Sequence, residues 1–238
     1  MAENEFRVLG PPGTGKTRYL IRQIEKAAEK HGADNIVVAS YTRTAAATLI
    51  GRQATIPNEN IGTLHALCYR SLGSPEIAEI NAASFNEEYP ASAISLASNG
   101  KMDEMAADAV FETEGDRHLA TYNLYRAKCM DLALMPKGTI EWVKRWDLWK
   151  MRNKFIDFTD MIDIVRIIGD PLPGEPQIGI YDECQDFNRL EFRLLRHWAQ
   201  FQEYVILAGD DDQCHPAGTL ISTSNRGQVP IEDLNPNE

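Results

Sequence analysis

Short apolar, β-branched runs alternate with stretches of helical period along this chain, and the alternation is broken once in the middle and once near the end. Residues Phe6 to Gly10 read as a short buried strand, and Thr17 to Lys30 as an amphipathic helix closed by Gly32. The IVVASYT run within Asn35 to Thr42 predicts a second strand, followed by an Ala-rich helical stretch from Thr44 to about Arg52. Alternation of this kind predicts an α/β parallel sheet. From Gly73 to Lys154 the pattern turns helical, with breaks at Ser74-Pro75, Tyr89-Pro90, Asn99-Gly100 and Met135-Pro136, as an inserted helical subdomain would read. The α/β pattern then resumes with a helix over Thr159 to Ile168, the strand Ile178 to Glu183, a helix over Leu190 to Gln200 and the strand Tyr204 to Asp210. Beyond Gln213 the helical period disappears. Two strand-like pieces, TLIST and QVPIEDL, flank an Asn225-Arg226-Gly227 turn.

Composition narrows the class only a little. The 238 residues carry 43% hydrophobic and 25% charged positions, which excludes collagen-like, low-complexity and wholly disordered chains. No apolar run approaches the roughly 20 residues of a membrane-spanning helix, and MAENEFRVLG lacks the basic start and apolar stretch of a signal peptide. A cytoplasmic protein with no membrane partner is expected. Cys68, Cys129, Cys184 and Cys214 are widely spaced, which argues against a zinc site or a disulfide framework and for free thiols. The net charge of −11 argues against coating nucleic acid by charge alone but leaves room for a local basic groove.

The chemistry concentrates in two places. Gly10-Pro11-Pro12-Gly13-Thr14-Gly15-Lys16-Thr17 matches GxxxxGK[ST] between a predicted strand and a predicted helix, the setting the motif requires. Its glycines let backbone N–H groups wrap a phosphate at a helix N-terminus. Lys16 would reach the β- and γ-phosphates of ATP, and the Thr17 hydroxyl would hold Mg²⁺. The apolar strand IGIYDE ends in two carboxylates, as a Walker B segment does: Asp182 would bind Mg²⁺ and Glu183 would polarise the attacking water. The helical insertion accounts for the long separation between the two motifs.

Together with GPPGTGKT, the segments ASYTRTAAATL (39–49), IGTLHALCYRSL (61–72), IDFTDM (156–161), YDECQD (181–186) and AGDDDQ (208–213) resemble, in order, the first motor domain of the UvrD/Rep-type superfamily 1 DNA helicases. The resemblance implies a RecA-like P-loop domain over 1–72 and 155–213, with 73–154 inserted. It also implies that Tyr41 and Thr42 touch single-stranded DNA, Tyr41 by stacking on a base, and that Thr63 and His65 line the same track. Gln185 and Gln213 resemble the family's glutamines that sense the γ-phosphate. The family's second motor domain, which supplies arginines typically worth ~10³ or more in rate, is expected on another chain. Trp142, Trp146 and Trp149 fall at i, i+4 and i+7, the spacing of a buried stripe, among Lys144, Arg145, Lys150, Arg152 and Lys154, which offer a possible contact to duplex DNA.

The family pattern stops after Gln213. Cys214-His215-Pro216-Ala217-Gly218-Thr219-Leu220-Ile221, with GQVPIEDL at 227–234, resembles the first sequence block of an intein. The resemblance implies a short β-rich intein fragment over 214–238, with the Cys214 thiol attacking the Gln213 carbonyl to exchange an amide for a thioester. The expected whole is the precursor half of an ATP-dependent DNA helicase or translocase, completed by trans-splicing with a complementary chain. The alternative is a truncated contiguous-intein fragment that acts only as an ATP- and ssDNA-binding module.

Overall fold

The computed structural model describes residues 4–11, 13–41, 56–95, 113–210, 220–223 and 227–230. The expected helix from Thr44, the Asn99-Gly100 break and residues Pro12, Thr42, Gln213 and Cys214 lie outside them. The first unit runs β1 (Glu5–Leu9), α1 (Lys16–His31), β2 (Ile36–Ser40), β3 (Ile61–Gly62) and α2 (Leu64–Ser71). Next come three helices of the insertion, α3 (Ala82–Glu88), α4 (Glu114–Ala127) and α5 (Lys137–Asn153). The chain then continues through α6 (Phe158–Ile168), β4 (Ile178–Asp182), α7 (Arg189–Trp198) and β5 (Tyr204–Gly209).

All five strands of the main sheet pair in parallel, in the order β1-β5-β4-β2-β3. Helices cover both faces, as a parallel sheet requires. Leu20, Ile24 and Ala27, spaced along one face of α1, pack with Ile36, Val38, Ile178, Ile180, Ile206 and Ala208. The alternate residues of the same strands, among them Val37, Ala39, Tyr181, Val205 and Leu207, face apolar side chains of α2, α6 and α7. β2 and β4 are consequently buried at every position.

The first strand departs from expectation. β1 lies at the sheet edge, paired with β5 alone among the described residues, and its Phe6 and Leu9 are 57% and 56% exposed. An apolar, β-branched run does not distinguish a central strand from an edge one, because only the order of pairing decides how many neighbours cover it.

The insertion packs around its own aromatic core. Trp142, Trp146 and Trp149 are fully buried along α5, stacked in sequence at 5.5 and 5.0 Å, and Phe85 of α3 meets all three edge-on at 4.9–5.8 Å. The stripe is thus core, and four of the five flanking bases have partners within the chain, Arg145 on the Ser92 hydroxyl at 3.2 Å among them. Lys144 pairs with Glu141 and Arg152 with Glu88. Lys150 is only 5% exposed and buried in an ion cluster, so it is no DNA contact.

That cluster ties the insertion to the sheet-bearing unit. The two ends of the insertion meet where Ile77 bridges Ile156, with the Ala78 N–H donating to the Ile156 carbonyl at 2.8 Å. Asp157 caps α6 through its Oδ1, while its Oδ2 accepts from Arg126 of α4 at 2.9 Å, Lys150 of α5 at 2.7 Å and the Trp146 indole at 3.2 Å. Asp160 takes the same two bases at 2.7 and 2.6 Å. Arg126 also lies over the Tyr122 ring at 3.8 Å. The two cations hold Asp157 well below the usual carboxylate range despite its burial.

Glu79 completes the joint with the opposite sign. Its Oε1 accepts the Phe158 N–H at 3.2 Å, its Oε2 is buried with no hydrogen-bond partner among the described residues, and burial with the neighbouring Asp157 charge pushes its carboxyl up to about 8. The folded chain therefore keeps a proton that the unfolded chain loses near 4.5, so stability falls as pH rises from about 4.5 to about 8. Glu79→Gln keeps the Oε1 acceptor and removes the ionisation. Its urea midpoint is expected to gain on the wild type at pH 9 and to match it at pH 5; an equal difference at both values would contradict the assignment.

At the other end of the described chain, β6 (Leu220–Thr223) and β7 (Gly227–Pro230) form an antiparallel hairpin, Leu220 opposite Pro230 and Thr223 opposite Gly227. Two strand-like pieces around a Gly turn were expected there, and the second strand begins one residue earlier.

Candidate functional site

Because every strand of the sheet points the same way, the loops that follow β1, β2, β4 and β5 leave along one edge. The β1–α1 turn carries Gly10, Pro11, Gly13, Thr14, Gly15, Lys16 and Thr17. Gly13 and Gly15 adopt φ of +83° and +90°, a region that side chains rarely enter, and a Cβ at either would point into open space. The Gly10 N–H donates to Gly209 at the end of β5, fixing the turn to the sheet.

The start of α1 differs from the starts of α4, α6 and α7. α4, α6 and α7 each open with a reciprocal capping box, from Thr113, Asp157 and Asn188. α1 opens on Gly15 with no side-chain cap, leaving its first N–H groups for an anion. The Lys16 ammonium meanwhile donates to the Gly10 carbonyl across the turn.

Asp182 ends β4 opposite Ser40 of β2. It is buried, and desolvation followed by the Glu183 charge raises its carboxyl above the usual range, opposed by the Glu183 N–H and by Lys16. A buried carboxylate with too little positive charge around it suits a divalent cation. Ser40 adds a fully buried hydroxyl without a hydrogen-bond partner among the described residues. No group of three or more His, Cys, Asp or Glu among the described residues forms a metal cage. A donor set of one buried carboxylate, Asp182, with the Thr17 hydroxyl from the phosphate turn is the kind that holds Mg²⁺ together with phosphate oxygens.

Glu183 stands in the left-handed region at φ 53° and ψ 41°, strained for a residue with a long side chain. Its carboxylate accepts from the Gln185 amide at 2.6 Å, and the Gln185 Oε1 accepts the Asp210 N–H at 2.9 Å. Gln185 thus joins the Asp182-Glu183 turn to the end of β5. Cys184 beside them is buried, and desolvation pushes its thiol above the thiolate range, as burial does for Cys68. With Cys129 these are free cysteines.

Tyr41 follows β2 and meets the Phe187 ring at 6.5 Å. Thr63 caps α2, accepting the Ala66 N–H at 3.2 Å. His65, two residues on, lies 3.7 Å from the Glu191 carboxylate and edge-on to Phe158 at 6.3 Å. Phe187 and Glu191 were not singled out from the sequence. Asn188 and Glu191 stand at capping-box spacing, a local signal of a helix start, but nothing local says which residues that start would meet.

A parallel sheet with helices on both faces, a Gly-rich turn into an uncapped helix after β1, and a buried Asp at the end of β4, one strand removed from β1, define a P-loop nucleotide-binding domain. The chain belongs to the AAA domain family, whose model matches residues 1–219, in the UvrD-like helicase ATP-binding region. A comparison with curated proteins returns no match. It is accordingly a helicase-type ATP-binding domain. No described helix is long and apolar enough to cross a membrane.

Gln185→Ala removes the acceptor of a part-buried amide and the donor to Glu183. A loss of about 1–3 kcal/mol in urea unfolding is expected.

Proposed function

We propose that this chain is the first motor half of an ATP-dependent single-stranded DNA translocase or helicase, interrupted after Gln213 by an intein segment that begins at Cys214. The observation that carries the motor reading is the common edge of the sheet, where the phosphate turn follows β1, the Asp182-Glu183 turn ends β4, Tyr41 follows β2 and His65 lies in the first turn of α2 after β3. The turn from Gly10 to Thr17, Pro11 and Pro12 included, wraps the ATP phosphates, its non-proline backbone N–H groups donating to them, and Lys16 leaves the Gly10 carbonyl to reach the β- and γ-oxygens. Thr17 and Asp182 hold Mg²⁺, which when bound neutralises charge on those oxygens. Glu183 accepts a proton from the attacking water, and Gln185 and Gln213 sense the γ-phosphate.

Tyr41 stacks on a base while Thr42, Thr63 and His65 follow the strand, a mode that tolerates any sequence, as movement along DNA demands. The second motor domain completes the ATPase with its arginines. Supply of that domain by trans-splicing is the finer part of the reading. It draws on the Cys214 block, on the GQVPIEDL segment and on the antiparallel hairpin of β6 and β7. The Cys214 Sγ attacks the Gln213 carbonyl carbon, the C–N bond breaks, and the thiol proton goes to the departing amine, leaving a thioester for a downstream nucleophile.

Two measurements test the halves separately. Lys16→Ala is expected to abolish binding of a fluorescent ATP analogue. Tyr41→Ala is expected to weaken oligothymidine binding by about 1–3 kcal/mol, five- to a hundred-fold, without changing nucleotide affinity. An unaltered oligothymidine affinity removes the stacking role. Co-expression with a chain carrying the complementary intein half is expected to give, by intact mass, residues 1–213 joined to that partner, and Cys214→Ala to give none. Unreacted chains in both cases would overturn the trans-splicing reading and leave the motor reading in place.

A further inference from the structure

The two proposed DNA-facing side chains approach the nucleotide site through one short segment. Tyr41 comes from the loop after β2 and His65 from α2, more than twenty residues apart in sequence. Tyr41 packs against Phe187, and His65 lies beside Glu191. Phe187 and Glu191 are both buried, at 6% and 4% exposure, and sit four residues apart at the start of α7.

That start is rigid. The Asn188 side chain accepts the Leu190 and Glu191 N–H groups at 2.9 and 3.0 Å, and the Glu191 Oε2 accepts the Asn188 N–H at 2.8 Å. Phe187 is braced from the other side by the Phe192 ring, edge-on at 5.9 Å. Phe187 therefore moves with α7 as one body.

The same body is bonded back to the Asp182-Glu183 turn. The Asp186 N–H donates to the Glu183 carbonyl at 3.1 Å and the Phe187 N–H to the Cys184 carbonyl at 3.2 Å, closing a single tight turn. The joint at its head is the left-handed Glu183, and Gln185 ties that turn to the end of β5. One hydrogen-bonded turn thus links Glu183 to Phe187 and the start of α7.

We propose that the Phe187–Glu191 segment couples the two sites: Phe187 positions Tyr41, Glu191 positions His65, and the segment changes the DNA track when nucleotide engages Asp182 and Glu183. Phe187 and Glu191 are positioning residues, acting through their neighbours. The inference rests on the reading of Tyr41 and His65 as the DNA track, and goes beyond it in assigning the coupling to two residues that touch neither ligand.

The test uses the full chain, a fluorescein-labelled oligothymidine and a non-hydrolysable ATP analogue with Mg²⁺. The readout is the ratio of oligothymidine Kd without and with the analogue. In the wild type that ratio is expected to differ from one by about five-fold or more in either direction, a common size for coupled sites. Phe187→Ala and Glu191→Gln are each expected to bring it close to one while the analogue's own Kd stays within about two-fold. Glu191→Gln retains the cap on Asn188, so it remains informative if Phe187→Ala fails to fold. Phe187→Tyr keeps the ring and is expected to restore the wild-type ratio. A wild-type ratio of one, or a wild-type ratio preserved in Phe187→Ala or in Glu191→Gln, would overturn the coupling. A wild-type chain that binds analogue but no oligothymidine would overturn the DNA-track reading itself.

Discussion

Parallel pairing of the five strands is the constraint on which everything else rests. Parallel strands cannot be joined by tight hairpins, so each connection must cross a face of the sheet, and the crossovers bury both faces. The price is a sheet core that is apolar throughout, as β2 and β4 show at every position. The consequence for function is directional. All carboxyl ends lie along one edge, so a phosphate turn after β1, two carboxylates at β4 and an aromatic residue after β2 become neighbours although most of the chain separates them.

A second constraint concerns how a long helical insertion can interrupt such a sheet without loosening it. The insertion begins and ends at one backbone bridge, Ile77 to Ile156, and supplies its own aromatic core. What fixes its orientation is charge. Arg126 and Lys150 reach from two helices to Asp157 and Asp160 at the first turn of α6, where Asp157 is also the cap. Arg126 and Lys150 already face Asp157, Asp160 and the half-exposed Asp147, so a further negative charge on the buried Glu79 would be costly and it keeps its proton. An apolar contact would have held the helices as firmly, but it would not have specified one angle.

The nucleotide edge was largely legible from local pattern. The Gly10-to-Thr17 turn, Asp182 and Glu183 each belong to short motifs whose chemistry follows from residue types and spacing, and the parallel sheet sets them along one edge, after β1 and after β4 with β5 between. The tryptophan stripe was legible for the same reason, since a period of 3.6 states which residues share a face. Lys150 was not. On α5 it sits in a run of bases that reads as a solvated face, and only the approach of α6 turns it into the partner of two buried aspartates. The exposure of Phe6 and Leu9 was hidden likewise, because strand order is a property of the whole sheet.

By itself the sequence determined the alternation of strand and helix, the glycine-rich turn and the two carboxylates, because each depends on residues within a few positions of one another. Tertiary structure alone decided that β1 lies at the edge, that Glu79 is squeezed beside Asp157, and that Tyr41 and His65 both rest on the start of α7. These are meetings between segments far apart in the chain. Backbone geometry near each residue carries no record of them, since they arise only when separate apolar faces are buried against one sheet.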